Sequence, residues 1–332
     1  MTDTRPLKKV AVVTPVHNRR DITLQCLRSL SRIDREGLQL SVYVVDDGST
    51  DGTSEAIASQ FPDVKVIRGD GNLWFTGGMN RGIEAALEED PEYILSINDD
   101  SIFQPDCLVR LVECAESNPR SVVGPLLLLW NEPHRLFQVS PEWSVLAGGF
   151  RHWRHQTVWS VPEQPWETDI IVGNCVLLPS DAIRECGLMN EKRHPHWGDA
   201  EYTPRMKRMG WKLLVEPKAR VFCQPNDPPP RLREMPPRKL LNALFGDLKG
   251  PHSLRRRLLC SLDGGPSKIS GLAAFAVFLA RTLLGNNPET SWAEGVEELP
   301  LKERFKDRVI TGRIRSNDRA SVRSSRPASP QT

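Results

Sequence analysis

Residues 10–97 hold four short apolar runs separated by stretches whose apolar residues recur every three or four positions, and this alternation restricts the fold more than any other feature. The runs are 10–14 (VAVVT), 40–45 (LSVYVV), 64–68 and 93–97 (YILSI). Their lack of polar alternation marks strands buried on both faces, covered by helices on either side. Between the first two, Ile22, Cys26, Leu27, Leu30 and Ile33 fall on one helical stripe, with Asp21 near its start where a cap belongs. A second helix is predicted over 50–59, and a third carrying Ile83, Ala86 and Leu87 after a glycine-rich segment at 69–82. Strand, helix, strand in this rhythm predicts an α/β fold with a mostly parallel central sheet flanked by helices. Ligands of such sheets bind beyond the carboxyl ends of strands, where this chain places its unusual polar loops.

From residue 121 the rhythm loosens. Strands are predicted over 122–130, 170–178 and 211–216, and a short helix over 180–186. Residues 140–166, with Trp143, Trp153, Trp159, Trp166 and Gly148-Gly149, read as hairpins or a long surface loop. The proline-dense stretch 225–237 sets a boundary. Three parts follow: a catalytic-type domain over 1–225, a helical appendage over 226–312, and a basic tail over 313–332 read as disordered.

Lys and Arg total 44 against 42 Asp and Glu, so a net charge of +2 predicts no nucleic-acid binder. The seven cysteines form no C-x-x-C pair, which predicts reduced thiols rather than a disulfide framework or a zinc knuckle. Residues 1–9 show no apolar leader, so a cytoplasmic location is expected. The longest apolar stretch, 271–284, contains Arg281 and is shorter than the roughly 20 residues that cross a bilayer. With Arg255-Arg256-Arg257 nearby, it predicts either peripheral contact with the inner face of the membrane or a helical lid on the catalytic domain. The sequence specifies no oligomeric state.

Four polar segments offer pieces of one chemistry. Asp46-Asp47 ends the second strand and could accept hydrogen bonds from a base or ribose, or simply cap a turn. Asn98-Asp99-Asp100 ends the fourth strand, where hard oxygen ligands suit a divalent cation; capping of the next helix is the plainer role. GDGNLWFTGGMNRG fits no phosphate-loop pattern, yet its glycines permit close backbone approach and Asn72, Asn80 and Arg81 supply donors. In His196-Trp197-Gly198-Asp199-Ala200-Glu201, a carboxylate beside Trp197 could be a general base for a sugar hydroxyl, or a helix-start acid stabilised by the macrodipole.

In this order the segments VAVVTPVHNRR, VYVVDDGSTDGT, GDGNLWFTGGMNRGI, YILSINDDS, IIVGNCVLLP and HWGDAEYTPRMKRMGW resemble the inverting GT-A glycosyltransferases of family 2, in their rhamnosyltransferase-like branch, over residues 8–225. The resemblance implies the GT-A fold and a sugar transfer from a nucleotide-diphosphate donor, a dTDP- or UDP-sugar, to a saccharide or lipid-linked saccharide of the bacterial surface. It further implies that Thr14, Pro15 and Asn18 line the nucleotide pocket and that Asp47 holds base or ribose. Asn72, Gly77 and Asn80 would meet the donor, and Asn98, Asp99 and Asp100 would stand at the D-x-D position, with Asp100 binding Mg2+ or Mn2+. Asp199 matches the catalytic base, Trp197 and Glu201 fall on the acceptor side, and 173–178 borders the acceptor.

The chain departs from that pattern in three places. Asn98 removes one charge from the D-x-D position, and Phe222-Cys223-Gln224 stands where a His is common, so water or Gln224 would complete the metal shell. Pro204 follows Asp199 closely, which predicts a helix starting near Tyr202 or kinking there. Two rivals share some features: a nucleotidyltransferase, with the same α/β layout, and a non-catalytic carbohydrate-binding protein drawing on the tryptophans of 130–166.

Overall fold

The structure is a computed structural model and describes residues 6–138, 142–151, 156–224, 235–246 and 250–284. The predicted tail, Trp153 and most of the proline-dense boundary lie outside the described residues. The first half is a run of strand–helix units: β1 (Lys8–Val16), α1 (Arg20–Leu30), β2 (Leu38–Asp46), α2 (Thr53–Gln60), β3 (Lys65–Arg68), α3 (Trp74–Leu87) and β4 (Tyr93–Ile97). These four strands are parallel, in the order β3-β2-β1-β4.

The second half extends the same sheet with mixed directions. β5 (Ile102–Phe103) and α4 (Cys107–Ser117) precede β6 (Ser121–Leu129) and the short β7 (Leu136–Gln138). A separate hairpin, β8 (Glu142–Ser144) and β9 (Gly149–Arg151), is followed by β10 (Trp166–Glu167), β11 (Cys175–Pro179), α5 (Ser180–Cys186), α6 (Asp199–Arg208) and β12 (Lys212–Cys223). β11 runs antiparallel between β4 and β6, while β12 lies parallel to β6. Local patterning could not show this reversal, because buried parallel and antiparallel strands carry the same apolar runs. The appendage consists of α7 (Pro237–Leu241), a π turn at Asn242–Gly246, α8 (Leu254–Gly264) and α9 (Lys268–Leu283).

Period-two geometry divides the core. Val10 and Val12 point to one face, against Leu24 and Leu27 of α1 and Leu108 and Leu111 of α4. Ala11 and Val13 point to the other, against Met79 and Ile83 of α3, Ile183 of α5 and Met206 of α6. Both faces are dry, as the uninterrupted apolar runs require.

Two expectations need correction. The glycine-rich segment is mostly helix: α3 begins at Trp74, and its glycines serve packing on β1. A Cβ at Gly82 would lie 2.3 Å from Val13, and one at Gly78 2.8 Å from Pro15. α6 begins at Asp199 and continues through Pro204. The pyrrolidine nitrogen cannot bond the Ala200 carbonyl four residues earlier. That oxygen instead abuts α8, where a Cβ at Gly264 would sit 2.5 Å from it.

Candidate active site

The candidate site lies at the carboxyl ends of β1, β2 and β4, where the loops after the strands are bonded to one another. Asp47 follows β2 and is 5% exposed. Its Oδ1 accepts from the Gly71 N–H at 2.8 Å and its Oδ2 from the Trp74 N–H at 3.0 Å. Asp47 therefore first binds its own chain, pinning the glycine-rich turn to the strand end; each oxygen keeps one lone pair for a ligand. Gly69 must be glycine for this approach, since a Cβ would lie 2.6 Å from Asp47 Oδ1. Asn72 is exposed on the turn, whereas Gly77 is buried within α3.

Asn80, expected to face the donor, is buried and holds the frame. Its amide donates to the Met189 carbonyl at 2.9 Å and its oxygen accepts from the Met189 N–H at 3.0 Å. Thr14 is 1% exposed inside β1, Pro15 half-buried, and Asn18 exposed in a left-handed turn at φ 51°. The Asn18 N–H donates to Ser49 Oγ at 2.8 Å, and its Oδ1 accepts from the Thr50 N–H at 2.7 Å, so β1 and β2 share one polar rim.

Asp99 and Asp100 are 4% and 5% exposed. Arg19, quoted in the sequence motif but given no role there, bridges them: Nη1 lies 2.9 Å from Asp99 and Nη2 3.1 Å from Asp100. Burial raises Asp99 to about 6 against the pull of Arg19, with Asp100 adding to the rise. Asp100 Oδ1 is buried and accepts no hydrogen bond. An open carboxylate oxygen among acidic neighbours suits a hard divalent cation. Among the described residues no cluster of three or more His, Cys, Asp or Glu could hold a metal, so water and phosphate oxygens would fill the shell. Half-buried Asn98 and exposed Gln224, just past β12, are the nearby amides.

Asp199 opens α6 and is half-buried. Its Oδ2 accepts from the Gly173 N–H at 3.0 Å. Burial raises its pKa, and the backbone N–H groups of Gly173 and Ala200 only partly offset this. A Cβ at Gly173 would fall 2.8 Å from the Asp199 Cβ, so only glycine permits this approach. Trp197 is half-buried with its indole N–H unpaired, and the Arg256 guanidinium of α8 lies 4.5 Å from its ring centroid. Glu201, expected on the acceptor side, is 7% exposed and paired at 2.8 Å with Arg205, one turn on. It supports α6 from within.

These loops form a closed hydrogen-bonded circuit. Asp47 holds the turn that starts α3. In α3, Thr76 Oγ1 donates to the His194 carbonyl at 2.6 Å and accepts from the Gly198 N–H at 3.2 Å, which places Asp199. Asp199 holds Gly173, and the next carbonyl, Asn174, accepts from the Asn98 N–H at 3.0 Å. Arg19 returns the circuit to the end of β1. Asp47, Asp100 and Asp199, remote in sequence, are thus linked through one chain of contacts. Thr76 escaped sequence reasoning, as did the carbonyl contact of Asn174 within 173–178, because neither a lone Thr nor a backbone carbonyl carries a local signal. A separate hollow of about 350 Å³ near Tyr93, Arg120 and Trp211 opens at the amino ends of β4 and β6, away from these acids.

Among the described residues, Trp143, Trp159 and Trp166 lie in different settings. Trp143 donates to Ser270 of α9 at 2.8 Å, Trp166 belongs to β10, and Trp159 is 62% exposed beside His134.

Comparison with known proteins agrees with the geometry. An N-acetylglucosaminyl-diphospho-decaprenol L-rhamnosyltransferase of Mycobacterium tuberculosis is 26% identical over 247 residues, covering 67% of this chain and 76% of the relative. An undecaprenyl-phosphate 4-deoxy-4-formamido-L-arabinose transferase of Edwardsiella ictaluri is 30% identical over 130 residues, 38% of this chain and 39% of the relative. Among solved structures, GalNAc-T7 with UDP, GalNAc and Mn2+ superposes with a TM-score of 0.55 at 15% identity, over 89% of this chain and 57% of that one. S. aureus TarS 1–349 gives 0.52 at 15%, over 91% and 80%. These superpositions show a shared GT-A fold. The family model for glycosyl transferase family 2 matches residues 11–183, more than half of the chain, so the chain belongs to that family and is a glycosyltransferase.

Proposed function

We propose that the chain is an inverting glycosyltransferase of bacterial surface-polysaccharide synthesis, carrying a sugar from a dTDP- or UDP-sugar to a saccharide or lipid-linked saccharide. The observation that supports this reading is the circuit linking Asp199, a carboxylate of raised proton affinity, to the loop of Asp100 with its unpaired oxygen. Asp199 takes the proton of an acceptor hydroxyl, and that oxygen attacks the anomeric carbon from the face opposite the diphosphate. The anomeric C–O bond breaks and its electron pair leaves with the nucleotide diphosphate, inverting the centre. Asp100, with Asn98, Asp99 and Gln224 nearby, would hold Mg2+ or Mn2+, which when bound neutralises charge on the leaving diphosphate. Arg19 supplies positive charge from the protein itself. Asp47 keeps the turn bearing Asn72 closed over the donor side.

The same reading places the protein in the cytoplasm, peripheral to the inner face of the membrane. Among the described residues no helix is long and apolar enough to cross a bilayer. The outer face of α9 exposes Ile269, Leu272 and Leu283, with Lys268 and Arg281 on the same helix, a pattern suited to an anionic surface. A thermal-shift screen of nucleotide-sugars with Mn2+ tests the donor class. A dTDP- or UDP-sugar at one hundred times its Kd should stabilise the fold by about 2.7 kcal/mol, and less after chelation. No shift with any nucleotide-sugar would overturn this reading.

A further inference from the structure

We infer that Arg256, on the first turn of α8, forms an anion subsite on the acceptor side, taking the phosphate of a phosphate-bearing saccharide acceptor. This rests on the proposed sugar transfer. Three observations converge on the residue. Its guanidinium lies over Trp197, two residues before the proposed base, at 4.5 Å from the ring centroid. Its charge has no carboxylate partner among the described residues: Nη2 donates to the Pro251 carbonyl, and Nε is buried without a hydrogen bond. The Trp197 indole N–H beside it is likewise buried and unpaired. A half-buried guanidinium without a counter-ion costs stability unless an anion completes it.

The position selects the acceptor over the donor. Arg19 and the acids at 99 and 100 mark the donor side at the ends of β1 and β4. Arg256 belongs instead to the appendage, which meets the catalytic domain at the start of α6, where Gly264 abuts the Ala200 carbonyl. Cys260, one turn beyond Arg256, feels the charges of both Arg256 and Asp199. A planar guanidinium offers paired N–H donors to phosphate oxygens while stacked on an indole. An acceptor whose reacting sugar carries a phosphate or diphosphate would set that group against Arg256 and its hydroxyl toward Asp199.

The test compares two soluble acceptors, N-acetylglucosaminyl diphosphate on a short alkyl chain and the neutral alkyl glycoside of the same sugar. Arg256→Ala should lower the kcat/KM preference for the phosphate-bearing compound by about tenfold or more, the effect of losing a charge-assisted contact. Arg256→Lys should restore part of that preference. Equal losses on both acceptors in a folded Arg256→Ala variant would reduce the residue to wall packing and overturn the subsite. Equilibrium dialysis of both compounds against UDP-loaded protein reads binding without turnover. It therefore still decides the subsite if no transfer occurs, an outcome that would count only against the proposed reaction. Inorganic pyrophosphate in the same dialysis separates a bare-phosphate site from one that needs the sugar. Affinity for the phosphate-bearing compound that is unchanged in Arg256→Ala would likewise overturn the proposal.

Discussion

The donor half and the appendage are built on opposite logics. Around β1, β2 and β4 the framework is local: each strand ends in its own polar loop, and short hydrogen bonds between adjacent loops set the acids. The appendage has little core of its own, with Ala274 and Phe278 among the few buried apolar side chains of α9. It is held by polar pins to distant parts of the chain. Asp263 of α8 receives Arg193 and His194, the latter at 2.9 Å, besides Lys268 of the appendage itself, and Arg257 donates to the Gly148 carbonyl at 3.2 Å. The hairpin at 142–151 packs with these helices, through Trp143 on Ser270 and Gly148 against Phe278, although it lies far before them in sequence. Asp47, Asp99 and Asp100 thus sit on the locally specified half, whereas Asp199 is placed by bonds across the fold and the appendage reaches its neighbour Trp197 through Arg256.

Substitutions on either side of that seam should separate chemistry from docking. Asp199→Asn should have the largest effect, a kcat loss of about 10²–10⁴-fold with donor affinity retained, measured by single-turnover transfer and nucleotide titration. Substantial turnover by the folded variant would refute the base assignment. Because burial raises the Asp199 pKa, wild-type kcat/KM should climb with pH through a midpoint above that of an ordinary aspartate and then level off. Gly173→Ala puts a Cβ against the base and should cost roughly 10²-fold in kcat, since an error of about 1 Å has that scale. A near-normal rate would show that Gly173 does not place Asp199.

Asp263→Asn should destabilise the protein by about 3 kcal/mol in urea unfolding, because Arg193 and Lys268 lose their shared carboxylate and His194 loses its hydrogen-bond partner. Burial alone would raise Asp263, but hydrogen bonds from Arg193, Lys268 and His194 outweigh it and hold the carboxyl at about 2. A depressed folded pKa stabilises above the unfolded value and loses that contribution as pH falls from about 4 to 2, roughly 2 kcal/mol in all. The variant should lack this acid-dependent part. Smallest is the surface effect: Leu272→Glu should reduce flotation with anionic liposomes severalfold without lowering Tm, since Leu272 is 57% exposed. Unchanged flotation would remove the membrane from the appendage's role.

Much of the donor half was legible because its signals are local. The apolar runs at 10–14 and 93–97 lie within β1 and β4, and the polar residues after them stand at the rim. Glycine was harder to read. A flexible turn and a close-packed helix both select it, so the segment at 69–82 was expected to serve a ligand when Gly78 and Gly82 serve β1. Asn80 and Glu201 were hard to read for a related reason: polar side chains near a site face either the ligand or the frame, and only their partners, Met189 across the fold and Arg205 one turn on, show both bonded to the frame.

By itself the sequence determined the α/β class and the mostly parallel sheet, and it marked the strand-end acids as candidates, because periodicity and strand-end chemistry act over a few residues. Tertiary structure alone decided that β11 runs backwards through the sheet, that Arg19 bridges Asp99 and Asp100, and that α8 lays Arg256 on Trp197. Each of these joins residues tens of positions or more apart. Their free energy comes from burial and charge pairing that exist only once the chain has closed on itself.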